Sequence, residues 1–363
     1  MSDEIHVAYE SLKGFCSEVY KKCGLNAEDA ELAATVLTMA DLRGIPSHGV
    51  ARLRRYVDGL KTGQMLPDAP VRVVKETESS LVVDAAGGMG TPVSVRTMRQ
   101  VIAKAKSQGL ASGCVFNSNH FGIAGHYALM AAEEDMIGIA MTNTAALGVP
   151  TFGRQVMFGT NPLAFCAPAN RERAFLLDMS TTVVSRGKLE VYAAEGKELP
   201  LGWAVDRDGR SAKDAAPVLD DMFHRRGGGI LPLGGEGERF GGYKGYGLAV
   251  MVDVLCAVLC GAPFGPDICD TALSSARVSH FFGAMRVDRF RSPEGFKDDM
   301  DKMIQQLRAT PPAEGCERVY VAGQKEFEHV EACKTGGVPL SRSTYAKLEA
   351  IAAECGVSFG GRP

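Results

Sequence analysis

The chain carries almost no net charge. Lysines and arginines number 40 against 43 acids, which leaves −3 over 363 residues. Nothing in that balance argues for nucleic acid or an acidic membrane surface as a partner. No apolar run looks long enough to span a bilayer. The opening Met1-Ser2-Asp3-Glu4 is acidic and lacks the apolar core of a signal peptide, so the expectation is a cytoplasmic protein. The 10 cysteines contain no C-x-x-C pair, and the 7 histidines contain no H-E-x-x-H. That removes the usual spacings of structural and catalytic metal sites and leaves most of the cysteines as reduced, small core residues. No G-x-G-x-x-G follows a strand and opens a helix, so a Rossmann domain has no support. No G-x-S-x-G occurs, and Ser47 and His48 are adjacent, the wrong geometry for a hydrolase nucleophile and its base. Repeats and low-complexity tracts are absent too.

What is present is a hydrophobic fraction of 45%, enough for a packed core and for two domains or one large one. The first sixty residues read as helices. Asn26 is placed to cap a helix from Ala27 to Leu42. Val71–Val74 and Leu81–Asp84 read as strands joined by a polar turn, with a helix from Val93 to Ser107 after a glycine-rich break. Strand-like and helix-like segments alternate to about residue 195. Gly202 to Gly229 reads as a long polar excursion anchored by Trp203, and Tyr246 to Leu259 as a strongly apolar helix. Amphipathic helices, Ser292 to Leu307 and Ser341 to Cys355, end the chain. A helical opening and a helical ending around a mixed centre predict an α/β protein with a helical domain built from both chain ends, residues 1–70 plus 292–363. Residues 71–291 would form the nucleotide-binding and catalytic domain.

Two stretches suggest chemistry. In the first, Gly44-Ile45-Pro46-Ser47-His48-Gly49, Ser47 is read as the N-cap of a helix running to Gly59 or Gly63. His48, Arg52 and Tyr56 then recur every four residues and share one face. Val50, Leu53, Val57 and Leu60 lie roughly 120° away, facing a core. An imidazole, a guanidinium and a phenol on one face suit a carboxylate substrate, and a surface helix with an accidental polar face is the plain alternative. In the second, Phe116-Asn117-Ser118-Asn119-His120-Phe121-Gly122, a polar loop joins strand to helix, a position where ligands are often held. His120 is there a candidate general acid or base, or a histidine that only bonds its own loop.

Together these stretches resemble the malate/L-lactate dehydrogenase family, which also holds L-sulfolactate, ureidoglycolate and 2,3-diketogulonate dehydrogenases. The resemblance continues through Gly159-Thr160-Asn161-Pro162, Leu177-Asp178-Met179-Ser180-Thr181 and Gly241-Gly242-Tyr243-Lys244-Gly245, in the family's order, from about residue 5 to about 350. The family usually has an acid where this chain has Pro46, a departure that bears on substrate identity.

The resemblance implies a non-Rossmann nucleotide-binding fold, a homodimer, and NAD or NADP as cofactor. It implies that Asp178, Met179, Ser180, Lys244 and Gly245 contact the dinucleotide, that Thr144 and Asn161 lie near its nicotinamide end, and that Gly323 and Gln324 reach it as well. A strand-end Asp178 also suits a ribose hydroxyl, and Lys244 among glycines suits a phosphate. Arg186 could meet a 2′-phosphate or face solvent; NAD is the expectation. The reading is an oxidoreductase that interconverts a small 2-hydroxy acid and its 2-oxo acid. Arg52 would bind the carboxylate, Ser47 and Tyr56 orient the substrate, His120 move the proton, and His48 assist. Reduction of a cyclic imine carboxylate or a diketo sugar acid is the alternative, as is a dinucleotide-binding protein without turnover.

Overall fold

The computed structural model describes residues 4–271 and 274–360. Residues 1–3, most of the acidic start, lie outside them. Strand β1 (Glu4–Val7) leads into helices α1 (Tyr9–Lys22) and α2 (Ala27–Leu42). Two one-turn 3-10 segments, Pro46–His48 and Val50–Arg52, precede α3 (Leu53–Lys61). The middle of the chain forms β2 (Arg72–Glu76), β3 (Ser80–Asp84), α4 (Gly90–Gln108), β4 (Leu110–Ser118), α5 (Ala124–Ala132), β5 (Met136–Thr142), β6 (Leu163–Ala167) and β7 (Phe175–Met179). Next come α6 (Arg186–Glu195), β8 (Ala204–Val205), α7 (Ala215–Phe223), β9 (Gly229–Ile230), α8 (Gly242–Cys256) and β10 (Val278–Arg286). The chain closes with α9 (Pro293–Arg308), α10 (Gln324–Gly336), β11 (Val338–Ser341) and α11 (Arg342–Cys355).

Seven strands form one sheet in the order β2-β3-β4-β10-β5-β6-β7. Only β3 and β4 run parallel; the other neighbours are antiparallel. This mixed sheet is the non-Rossmann α/β architecture read from the sequence. Its central strands are covered on both faces, whereas the edge strand β2 is exposed along its whole length. On β5, Met136 and Ala140 pack with α4 and α5, while Ile139 and Met141 meet Val252 and Cys256 of α8. That alternation is the period of a strand.

The two chain ends share a core. Leu12, Tyr20, Leu37, Leu53 and Tyr56 pack with Val338, Leu340, Leu348 and Ile351, all almost fully buried. Each such side chain contributes about 1.5–3 kcal/mol by leaving water. The β1–β11 pair ties the same ends by backbone hydrogen bonds. Helix α9 packs elsewhere: its Met300 and Ile304 lie against Ala167 and Val321 on the sheet side. The Gly202–Gly229 stretch is no loose excursion. With α6 and α7 it builds a satellite core around Leu189, Val205, Val218 and Ile230, and Trp203 packs tilted against Tyr192, 4.9 Å between centroids.

Helix α8 departs from the expectation that no segment suits a bilayer. Gly242–Cys260 passes for a membrane span by length and composition, with mean hydropathy 1.5 and 33% of it buried. Lys244 and Asp253 interrupt the apolar run in the sequence without lowering its average enough. The Asp253 carboxylate is inside the protein, where it accepts hydrogen bonds from Asn143 and Asn161.

Candidate active site

Pro46 and Gly49 shape the first half of the site. Proline starts a 3-10 turn at Pro46–His48, and Gly49, extended at φ −92° and ψ −152°, ends it. The helix expected from Ser47 therefore begins later, at Leu53. Ser47 caps nothing; its hydroxyl lies 3.0 Å from His48 Nδ1. The four-residue spacing survives only from Arg52, the first residue flanking α3, to Tyr56. Arg52 turns its Nε to the Ser47 carbonyl. Its two terminal nitrogens take no protein partner among the described residues. Beneath the turn, the Asp41 carboxylate accepts the Val50 N–H at 2.7 Å.

The second half arrives on the loop after β4. The Tyr56 hydroxyl lies 2.7 Å from His120 Nδ1, and the His48 and His120 rings stack with centroids 5.5 Å apart. The structure thus gathers Ser47, His48, Arg52, Tyr56 and His120 into one cluster. The Gly122 N–H also donates to His120 Nδ1, at 3.2 Å. A backbone N–H can only donate, so this network assigns the hydrogen of the neutral imidazole to Nε2. Burial, then the charge of Arg52, then His48, push His120 well below its ordinary value. Burial and Arg52 likewise lower His48 to about 4. Both shifts favour the neutral ring, and a bound anion would offset only the Arg52 share of them.

The same loop reaches the cofactor half. The Gly125 N–H donates to Asp178 Oδ2 at 2.7 Å. Asp178 opens onto a cavity of about 260 Å³, lined also by Arg43, Ile45, Ile123, Tyr320, Gly323 and Lys325. Asp178 keeps an exposed edge, and burial of its carboxyl raises it to about 6, against the pull of the Gly125 N–H and Arg43. Arg43 is 7% exposed; its guanidinium lies over the Phe327 ring at 5.1 Å, and its Nε and Nη1 have no hydrogen-bond partner among the described residues. A carboxylate acceptor, an orphaned guanidinium and a backbone-lined wall fit the ribose and adenosine end of a dinucleotide.

The model of the malate/L-lactate dehydrogenase family matches residues 7–349. The chain belongs to that family. It is 42% identical over 353 residues to a malate dehydrogenase of Pyrococcus horikoshii, covering 97% of this chain and 96% of that protein. It is 35% identical over 352 residues to an L-sulfolactate dehydrogenase of Methanocaldococcus jannaschii, covering 96% and 97%. The crystal structure of malate dehydrogenase from Entamoeba histolytica superposes with a TM-score of 0.93 at 32% identity, covering 98% of this chain and 99% of that one.

In this member of the malate/L-lactate dehydrogenase family, the remaining expected residues divide. Met179 follows Asp178 at the end of β7 and is half-buried. Ser180 spends its hydroxyl on the Thr182 carbonyl. Lys244 is exposed in the first turn of α8, with Nζ 5.8 Å from the Tyr243 ring centre. Gly245 is small for packing: a Cβ there would meet the Leu233 carbonyl oxygen at 2.2 Å. Asn161 is fully buried, and its amide donates to Ala249 and Asp253 while its oxygen accepts from Thr144. It therefore helps to place Thr144. Gly323 lines the Asp178 cavity, whereas Gln324 turns to Val321 and Glu328. Arg186 pairs with Glu190 on the surface.

Sequence reasoning passed over the residues that join the halves. Asp253 links Asn161 to Asn143, and Asn143 accepts from the Ser279 N–H. The next residue, His280, bridges Thr142 and Ser118 and stacks flat on Phe121, 4.4 Å between centroids. Asn119 donates to the Gly87 and Gly88 carbonyls. An acid inside an apolar helix and a histidine inside an apolar strand were the available signals. Asp41 and Arg43 gave the weaker one of polar residues closing an apolar helix.

Proposed function

We propose that the protein is an NAD-dependent dehydrogenase that interconverts a small 2-hydroxy acid of the malate, lactate or sulfolactate type and its 2-oxo acid. One observation carries the reading. A guanidinium with two free nitrogens stands among two stacked imidazoles and a phenol, on the loop whose far end bonds Asp178. Arg52 binds the substrate carboxylate in two-pronged fashion. His120 Nε2 hydrogen-bonds the reacting oxygen and exchanges its proton, while Tyr56 and Gly122 hold the ring from Nδ1. His48, backed by Ser47, stands beside it as the second donor. Asp178 accepts from ribose hydroxyls, Lys244 offsets phosphate charge, and Thr144 lies toward the nicotinamide. When bound, the nicotinamide dinucleotide supplies or accepts the hydride. NAD is favoured over NADP because Asp178 and Glu326 both line the cavity and repel a 2′-phosphate, although Arg43 and Lys325 temper this.

The test is oxidation of NADH and NADPH with oxaloacetate, pyruvate, sulfopyruvate, 2-oxoglutarate and a cyclic imine carboxylate, with and without a chelator. Turnover of at least one 2-oxo acid, faster with NADH and insensitive to chelator, is expected. Binding of NADH without turnover across the panel removes the dehydrogenase reading. Turnover of the imine alone makes the chain an imine reductase.

The homodimer is proposed on the outer face of α8. Val250 and Val254 are one helical turn apart on α8 and are 41% and 45% exposed, with Val258, Leu259 and Phe264 exposed just beyond its end. An apolar strip of this kind marks an interface. Val254→Glu should convert a dimer to a monomer in analytical ultracentrifugation; a monomeric parent protein would remove the proposal. Ten free thiols suit a reducing compartment, and we place the enzyme in the cytoplasm.

A further inference from the structure

Asp41 lies in the last turn of α2 and is 4% exposed. Its Oδ2 accepts from Val50 N–H, the first residue of the 3-10 turn Val50–Arg52. The residue before that turn, Gly49, has no side chain with which to cap it, so the cap comes from another element. The chain passes flat over the acid: a Cβ at Gly49 would sit 2.1 Å from both carboxylate oxygens. Arg52 ends this turn and reaches back to Ser47, and one helical turn later Tyr56 holds His120.

The geometry points to Asp41 as a positioning residue: its carboxylate clamps the Gly49–Arg52 turn against α2 and so sets where His48, Arg52 and Tyr56 stand toward substrate. This rests on reading that cluster as the substrate site. The titratable groups facing the carboxylate from neighbouring elements are the Cys16 thiol of α1 and the Cys333 thiol of α10. Burial pushes both thiols up, so they stay neutral. From the turn, Asp41 meets the Val50 N–H. Burial raises the Asp41 carboxyl to about 7, while the N–H groups of Val50 and of Asp41 itself pull it down. The neutral acid loses the charge-assisted part of its bond to Val50. Substrate affinity therefore falls as pH drops through about 7. The two histidines run the other way, since reduction needs them protonated.

Stability has the opposite sign from affinity. A carboxyl raised on folding stabilises most below its ordinary 3.8 and loses that margin as pH climbs to about 7. The ionised acid thus costs the fold and serves the site.

Asp41→Asn in the full chain keeps the shape and an acceptor but removes the charge. Its KM for the 2-oxo acid should rise about 10-fold at about pH 8, with kcat changing less. The fall in affinity between about pH 8.5 and about pH 6 should vanish. NADH binding should hold, and Tm at alkaline pH should be equal or higher. Gly49→Ala, which forces the turn off the same carboxylate, should raise KM with the same split. The His48 and His120 proton signals in NMR should shift near pH 7 in the parent protein and not in Asp41→Asn. This last readout needs no turnover, so it separates failure of the proposal from failure of the dehydrogenase reading. Parent-like KM, pH limb and histidine signals in Asp41→Asn overturn the proposal. So does a variant whose only change is a lower Tm with NADH and substrate binding weakened alike.

Discussion

His120→Ala should fold, bind NADH and lose roughly 10²–10⁴-fold in kcat, the range general acid–base catalysis supplies. The expected loss follows from its place: it is the ring that Tyr56 and Gly122 orient from one side while Nε2 is left for substrate. Its pH behaviour is the sharper check. Reduction needs the imidazolium and oxidation the neutral ring, so the two directions should show opposite limbs. In the free enzyme the group sits well below its ordinary value, from burial first and Arg52 next. A bound carboxylate offsets Arg52, so the limb in kcat, which reports the complex, should lie at higher pH than the limb in kcat/KM. His48→Ala should cost less in kcat. If His48→Ala abolishes turnover while His120→Ala retains it, the two roles are exchanged; near-parental rates in both variants end the histidine mechanism.

Arg52→Ala should raise the KM for a 2-oxo acid by an amount corresponding to about 2–5 kcal/mol, or roughly 30- to 5,000-fold. Arg52→Lys should fall between. Lysine keeps a charge, but one ammonium cannot hold the Ser47 carbonyl and both oxygens of a carboxylate as the guanidinium can. The affinity for NADH should stay within roughly 3-fold, well under the 1.4 kcal/mol that a tenfold change represents. Removing Arg52 also removes a charge that holds His48 and His120 down. In Arg52→Ala the acid limb of kcat/KM should therefore move to higher pH. An unchanged KM takes Arg52 out of the substrate site.

Much of this was legible in the sequence where local rules decide. Asn26 caps α2 through Asp29 N as its position suggested, and the two strands before α4 pair as read. The family blocks identified the fold because several separated motifs occur in order. The turn at Ser47 was misread because periodicity counts side chains and ignores backbone: Pro46 and Gly49 break the helix that the spacing of His48 and Arg52 suggested. Asp41, Arg43, Asp253 and His280 were missed for a common reason. Each is polar within an apolar segment, and its meaning depends on a partner far along the chain, as with Asp253 and Asn143. Asn161 shows a related limit: that its side chain bonds Thr144, Ala249 and Asp253 depends on partners that its motif does not name.

The shared core of the two chain ends also orders events during synthesis. The segment bearing His48, Arg52 and Tyr56 is made early, yet Leu53 and Tyr56 are buried against a core that includes Val338, Leu348 and Ile351. Until those residues leave the ribosome, that segment can pack only on α1 and α2 and leaves part of its apolar surface exposed, whereas β2 to β7 are already made. The segment that carries His48, Arg52 and Tyr56 therefore completes its packing only once β11 and α11 have emerged, long after the strands it faces.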